Sequence, residues 1–210
     1  MSITLPEDIL AESFRIIDTE VGEHAFSATE WPIARRMVHA CGDVDLVRHI
    51  YFGLGAAAAG ARAFQEGTPI VTDVRMVAAG IQPAPRAALH VDLHCFIDDP
   101  EVAAEAKTRG KTRSAWAMER AIGRFPEAVY VVGNAPTALV VLTAAVRCGH
   151  SRPRLILAMP VGFVGVVESK DEAMKLTVPV MAVRGRRGGS AIAAAAVNAL
   201  LLLAREGMPP

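Results

Sequence analysis

The chain has 210 residues, a length that fits one compact α/β domain with at most a small helical annex. Apolar residues make up 52% and charged residues 21%, so the chain can bury a sizeable core and does not read as disordered. Lys+Arg and Asp+Glu both number 22, which argues against a general binder of nucleic acid or anionic membrane, since either carries a basic excess.

The opening stretch, MSITLPEDILAES, is acidic and lacks an apolar h-region, so no signal peptide is expected. Thr4-Leu5-Pro6-Glu7 fits a capping box with Pro in the first turn, and Leu10, Phe14, Ile17 and Val21 then line one helix face. A second helix is expected to start at Thr29 rather than Ser27, because Pro32 is tolerable only in a first turn. It runs through Ile33 and Met37 and stops at Gly42. A short third helix is expected from Asp43 to about Tyr51, followed by a small-residue helix over 54–66 that can pack closely against a sheet.

From residue 69 short β-rich runs alternate with helical stretches: 69–74, 89–95, 128–133, 155–160 and 178–185. Nearly all-apolar strands in such alternation imply a parallel sheet covered on both faces. The expected fold is α/β, Rossmann-like, with a mostly parallel five-stranded sheet, helices on both faces and a helical N-terminal segment. Residues 1–210 form a single domain, helical over 1–66 and sheet-bearing over 67–210. The longest apolar run, 191–204, contains Asn198 and is shorter than the ~20 residues that span a bilayer, so it reads as a buried helix. Cys41, Cys95 and Cys148 form no CxxC pair, which fits a reducing cytoplasm and neither a disulfide framework nor a cysteine zinc site.

Ligands of open parallel sheets bind beyond the C-terminal strand ends. Two of those ends are anion sites by type: Gly133-Asn134-Ala135-Pro136-Thr137, and Arg184 to Ser190 with its three arginines and three glycines. Each leads into a helix whose first N–H groups and dipole favour carboxylate or phosphate. Ordinary tight turns are the alternative for both. GxxxxGK[ST] and GxSxG are absent, no GxGxxG follows a strand, and His90 and His94 have no supporting carboxylates, so no metal site is expected.

Arg35-Arg36-Met37-Val38-His39-Ala40-Cys41-Gly42 is the most informative local pattern. On a helix Arg35, Arg36 and His39 share one face, with Ile33, Met37 and Cys41 on the core side. The helix end favours an imidazolium at His39 and the two arginines oppose it, so a bound polyanion would tip the balance towards the acid. A solvated surface histidine fits the spacing equally well.

These residues carry a resemblance. ESFRIIDTE (12–20), RRMVHACGD (35–43), PIVTDVRMVAAGI (69–81), VVGNAPTAL (131–139), MPVGFVGVVESK (159–170) and RGRRGGSAIAAAAVNALL (184–201) are similar, in order, to the precorrin-8X methylmutase family of corrin biosynthesis. The resemblance implies an isomerase that moves a methyl group from C-11 to C-12 of precorrin-8X to give hydrogenobyrinic acid, without cofactor. It implies a homodimer with His39 as the catalytic residue. It also implies a flat substrate edged by carboxylates, held by Ser13, Arg15, Arg35, Arg36, Thr72, Arg75, Arg113, Gly133, Asn134, Lys170, Arg186, Gly188 and Ser190 as motif or strand-end residues. A sister family acts on the cobalt-containing ring. The small-residue helix and the apolar C-terminal helix add a second motive for a dimer, because they are expected to leave more apolar surface than one such domain easily covers. A nucleotide-dependent enzyme and a non-catalytic tetrapyrrole carrier are the rival readings, the first weakened by the missing phosphate fingerprint.

Overall fold

The computed structural model describes residues 5–207. The elements run α1 (Pro6–Val21), α2 (Trp31–Cys41), a 3₁₀ turn (Val44–His49), β1 (Ile50–Gly53), α3 (Ala56–Gln65), β2 (Ile70–Thr72), α4 (Arg75–Gly80) and α5 (Pro83–Ala88). They continue as β3 (Leu93–Cys95), α6 (Pro100–Thr108), α7 (Arg113–Arg124), β4 (Val129–Val132), α8 (Pro136–Arg147), β5 (Leu155–Ala158), α9 (Val166–Met174), β6 (Val180–Val183) and α10 (Ser190–Glu206). The strands form one sheet in the order β1-β6-β5-β4-β2-β3. All pairings are parallel except β1 against β6.

Helices cover both faces because the strands are apolar on both. Val129, Val131, Leu155 and Leu157 point into a core shared with α2, α3 and α10. Their neighbours Tyr130, Val132, Ile156 and Ala158 point into a core shared with α7 and α8. The period of two along each strand produces the two cores. Small residues let α3 approach closely: a Cβ on Gly60 would lie 2.7 Å from Leu155 Cδ2.

The sheet has six strands, not five, and the extra one is β1. The third helix expected over 43–51 is a 3₁₀ turn that gives way to an extended IYFG segment. Tyr51 and Phe52 suit a strand, and Asp43 caps the turn by accepting from Asp45 N at 3.0 Å. Because β1 runs antiparallel, Ile50 pairs with Val183 at the C-terminal end of β6, and Arg184 N donates to His49 O at 2.8 Å. The chain preceding β1, including the end of α2, is thereby brought to the strand end where ligands bind.

Of the two expected helix caps, one lies outside the described residues and one needs correction. Thr4 of the first capping box lies outside the described residues, and Leu5 at the cap position makes no side-chain cap. Before α2 the capping box is formed by Ser27, not Thr29: Glu30 N donates to Ser27 Oγ at 3.3 Å and Ser27 N to Glu30 Oε2 at 3.0 Å. Pro32 still falls in the first turn of α2, where its missing N–H has no intrahelical acceptor to lose. The expected stop is borne out, with Gly42 left-handed at φ 64° and its N–H on Val38 O. The helical stretch between β3 and β4 is two helices, α6 and α7, with a left-handed Gly110 between them.

Asn198 has a clear role in its apolar helix. Its side chain accepts from Gln82 N at 2.8 Å and donates to Gly80 O at 2.9 Å, tying α10 to the α4–α5 junction. Among the described residues no helix is long and apolar enough to cross a membrane.

Candidate active site

Strand order reverses between β2 and β4. The chain leaves β2 for β3 on one side and passes from β4 through β5 to β6 on the other. The crevice at such a point is the usual ligand site of an open α/β sheet. Here Asp73 fills it. Its Oδ1 accepts from Gly133 N at 2.9 Å, and its Oδ2 accepts from Asn134 N at 2.9 Å and Ala135 N at 2.7 Å. The side chain is 3% exposed. Burial pushes its carboxyl above the ordinary range, with the three N–H groups pulling the other way.

Gly133 and Asn134 thus have their backbone donors engaged by the protein itself. Gly133 is required for close approach: a Cβ there would sit 2.6 Å from Val77 Cγ2 and 3.1 Å from Ser190 Cα. Thr72 is also buried, with its hydroxyl directed to His94 O at 3.4 Å. Arg75 is exposed and paired with Asp98 at 2.8 Å. Arg113, at the start of α7, is exposed and has no acceptor among the described residues, and the adjacent Thr112 hydroxyl contacts Thr137 Oγ1 at 3.0 Å.

The β5–α9 and β6–α10 turns form the other half of the mouth. Gly189 N donates to Met159 O at 2.8 Å and Gly162 N to Arg186 O at 3.2 Å. Gly188 has φ 151°, and a Cβ there would lie 2.7 Å from Pro160 O, so no other residue fits the crossing. Arg186 lies over the Phe163 ring at 5.2 Å. Ser190 is buried at the first position of α10. Lys170, expected as a substrate contact, is fully buried on α9 and donates to Pro160 O at 3.1 Å and Arg187 O at 2.8 Å.

A third group surrounds Phe14. The Arg35 guanidinium lies 4.3 Å from its ring centroid, that of Arg36 lies 5.3 Å away, and His39 packs edge-on at 5.8 Å. His39 faces solvent, whereas Ile33, Met37 and Val38 of the same helix are buried. Cys41, expected on the core side, is exposed at the last residue of α2. Arg35 is not a free cation: Asp18 Oδ2 accepts from it at 2.7 Å, and Asp18 Oδ1 accepts from Trp31 Nε1 at 3.0 Å. Arg36 is half-buried, and desolvation together with Arg35 lowers its pKa. Arg15 forms a two-pronged pair with Glu12 on the surface, and Ser13 donates to Ile9 O at 2.7 Å.

The structure links this histidine group to the β6–α10 turn through one ion pair, Arg187 with Asp43 at 3.5 Å. Asp18, Asp43, Phe14 and Asp73 were all missed as site residues by sequence reasoning. For Asp73 a signal existed: a carboxylate at a strand end, one strand over from a glycine-rich turn.

Such a sheet, with its switch-point crevice filled by its own carboxylate and cationic turns beside it, defines a Rossmann-like α/β protein suited to an anionic ligand rather than a dinucleotide. The sequence matches the family model for precorrin-8X methylmutase over residues 8–203. It is 44% identical to the precorrin-8X methylmutase of Pseudomonas aeruginosa, covering 91% of this chain and 93% of the relative. It is 41% identical to the cobalt-precorrin-8 methylmutase of Synechocystis sp., covering 98% and 100%. The crystal structure of precorrin-8X methylmutase from Thermus thermophilus superposes with a TM-score of 0.88 at 42% identity, covering 95% of this chain and 98% of that one. The chain belongs to the precorrin-8X methylmutase family. It is a methylmutase, an isomerase of cobalamin biosynthesis.

Proposed function

We propose that the chain moves a methyl group from C-11 to C-12 of precorrin-8X, giving hydrogenobyrinic acid, with His39 as the proton donor. The bond to C-11 breaks as the bond to C-12 forms, and the proton lent to the ring during the shift returns, so no electrons or cofactor enter. The carrying observation is the placement of His39. It is the solvent-facing acid–base side chain of the helix end that β1 draws to the mouth, with its ring fixed against Phe14. Arg35 beside it is held by Asp18. Arg113 and Arg186, which form no ion pair among the described residues, and Arg36, which has only the through-space field of Glu206, support a carboxylate-edged ligand.

His39→Ala should bind the macrocycle yet convert it at least about a hundredfold more slowly, the lower bound for losing a positioned acid. His39→Asn should be nearly as slow, because it keeps a donor and cannot transfer a proton. Conversion is followed by absorption with cobalt-free and cobalt-containing substrate in parallel. Parent rates in both folded variants would remove His39 from the mechanism, and binding without conversion by the parent protein would favour a carrier.

A second copy of the chain is the proposed partner. The two helices that motivated this from sequence are internal, since Ala56, Ala57, Phe64, Ile192, Val197 and Leu200 are all buried. Support comes instead from the N-terminal helix, where Leu5 at the cap of α1 and Ile9 and Ile16 within it are exposed apolar side chains. Sedimentation as a monomer at micromolar concentration would refute it. A cytoplasmic setting accords with three free cysteines.

A further inference from the structure

Lys170 is an ionisable group that the proposed methyl shift does not use. Its side chain is 0% exposed, and the groups around its ammonium are backbone carbonyls rather than carboxylates. The two acceptors, Pro160 O and Arg187 O, belong to different turns, one leaving β5 and one leaving β6. A trans peptide places its C=O and the following N–H on opposite sides. With both carbonyls turned inward to Lys170, the N–H groups of Val161 and Gly188 point the other way, and neither has an acceptor among the described hydrogen bonds.

We propose that Lys170 is a positioning residue: its ammonium holds the β5–α9 and β6–α10 turns with their carbonyls inward, so that their N–H groups and Arg186 face the anionic edge of the macrocycle. This rests on the proposed function for the identity of the ligand, and on the geometry alone for the tie between the turns. Lys170 touches no reacting atom. It acts through the backbone of the two turns and through a positive charge held beneath them.

Desolvation lowers the Lys170 pKa to about 8, with Asp171 on the same helix pulling it back up. Other ionisable groups on the surrounding elements are few. The β5–α9 turn and β6 carry none, the β6–α10 turn contributes Arg184, Arg186 and Arg187, and the remaining groups of α9 and of α8 packed on it are Glu168, which is exposed, and Glu172, which pairs with Arg147. Arg187 is in addition paired with Asp43. As pH rises through about 8 the ammonium is lost, the tie weakens and the cationic floor disappears.

The test compares the wild type with Lys170→Met, which fills the same slot without charge or donor. Amide hydrogen exchange should show at least about tenfold less protection in 159–165 and 184–190 in the variant, with 133–137 unchanged because Asp73 holds it. KM for precorrin-8X, or the Kd of hydrogenobyrinic acid, should rise at least about tenfold with kcat within about threefold, since lost charge-assisted contacts weaken binding and His39 is untouched. From about pH 7 to pH 9.5 the wild-type KM should rise severalfold while that of the variant stays flat. Equal exchange in the two turns, or equal KM and pH profiles, overturns the proposal. Should Lys170→Met not fold, the wild-type pH profile decides, and a flat one overturns it. Should the wild type neither bind nor convert the macrocycle, the proposed function fails, and the exchange comparison still decides whether Lys170 ties the turns.

Discussion

At the β2–β4 side of the mouth a buried carboxylate accepts from three N–H groups, and at the β5–β6 side a buried ammonium donates to two carbonyls. Both devices clamp a glycine-rich turn to a neighbouring strand end. Their electrostatic consequences are opposite. Asp73 consumes the backbone donors of its turn and leaves none of them for an anion. Lys170 consumes acceptors, so its half retains donors and adds a charge. Sequence chemistry alone marks both the Gly133 and the Arg184 turns as anion sites by type. The sign of the buried partner separates them, and it also explains why a Rossmann-like sheet here lacks a nucleotide fingerprint: the place for the phosphate is occupied by the protein's own side chain.

The comparison breaks most easily at Asp73. Asp73→Ala leaves three backbone donors without their acceptor, two of them on buried residues. At about 1–3 kcal/mol for each unsatisfied buried group, the loss of stability should be at least about 2 kcal/mol, read by urea denaturation. A stability within about 1 kcal/mol of the wild type would show that water serves the turn equally well and that the half is not closed to anions.

Gly188→Ala comes next. The new Cβ would meet Pro160 O at 2.7 Å, which is backbone and cannot swing aside, at a φ of 151° that disfavours a side chain. Strain and overpacking together should cost about 2–4 kcal/mol in denaturation. Gly133→Ala should cost less, because the nearest atom is a methyl of Val77 and φ is not positive. A reversal of that order would mean the β5–α9 and β6–α10 turns yield more readily than the Asp73-held one, contrary to the role given to Lys170.

Arg186→Ala combined with Arg187→Ala tests the open half directly. Charge-assisted contacts contribute about 1.5–3 kcal/mol each, so product binding should weaken at least about tenfold at fixed salt. Unchanged affinity would move the anion-binding rim to Arg113 or Arg36.

Legibility followed the range of the interactions. The parallel strands, the two-faced sheet and the Gly42 stop are set by local apolar runs and one left-handed position, and all were readable. β1 was not, because IYFG is too short to show alternation and its pairing with β6 joins residues far apart in the chain. The Ser27–Glu30 box was visible as Ser-x-x-Glu but was outweighed by an argument about Pro32. At the site, residue types were readable and their employment was not. Arg35 and Lys170 are cations in the right motifs, yet one is neutralised by Asp18, seventeen positions away, and the other is turned inward to carbonyls. Sequence spacing marks a charge; it does not reveal which partner has already claimed it.

The smallest effect concerns the link between the histidine helix and the open half. Arg187 and Asp43 pair at 3.5 Å with side chains 44% and 40% exposed. An ion pair so wet contributes about 0–1 kcal/mol and is screened by salt. Arg187→Ala alone should therefore change stability by less than about 1 kcal/mol. Asp43→Ala should cost somewhat more, about 1 kcal/mol, because Asp43 also caps the 3₁₀ turn through Asp45 N. A double-mutant cycle isolates the pair: the coupling should be under about 0.5 kcal/mol at physiological salt and vanish near 1 M. If it holds, α2 and the β6–α10 turn are joined chiefly by the β1 pairing and the Arg184 N–His49 O bond, and His39 keeps its place when the ion pair is cut. Coupling of 2 kcal/mol or more, about a thirtyfold effect, would instead make Arg187 part of what positions His39, and the two halves of the comparison would no longer be independent of the catalytic helix.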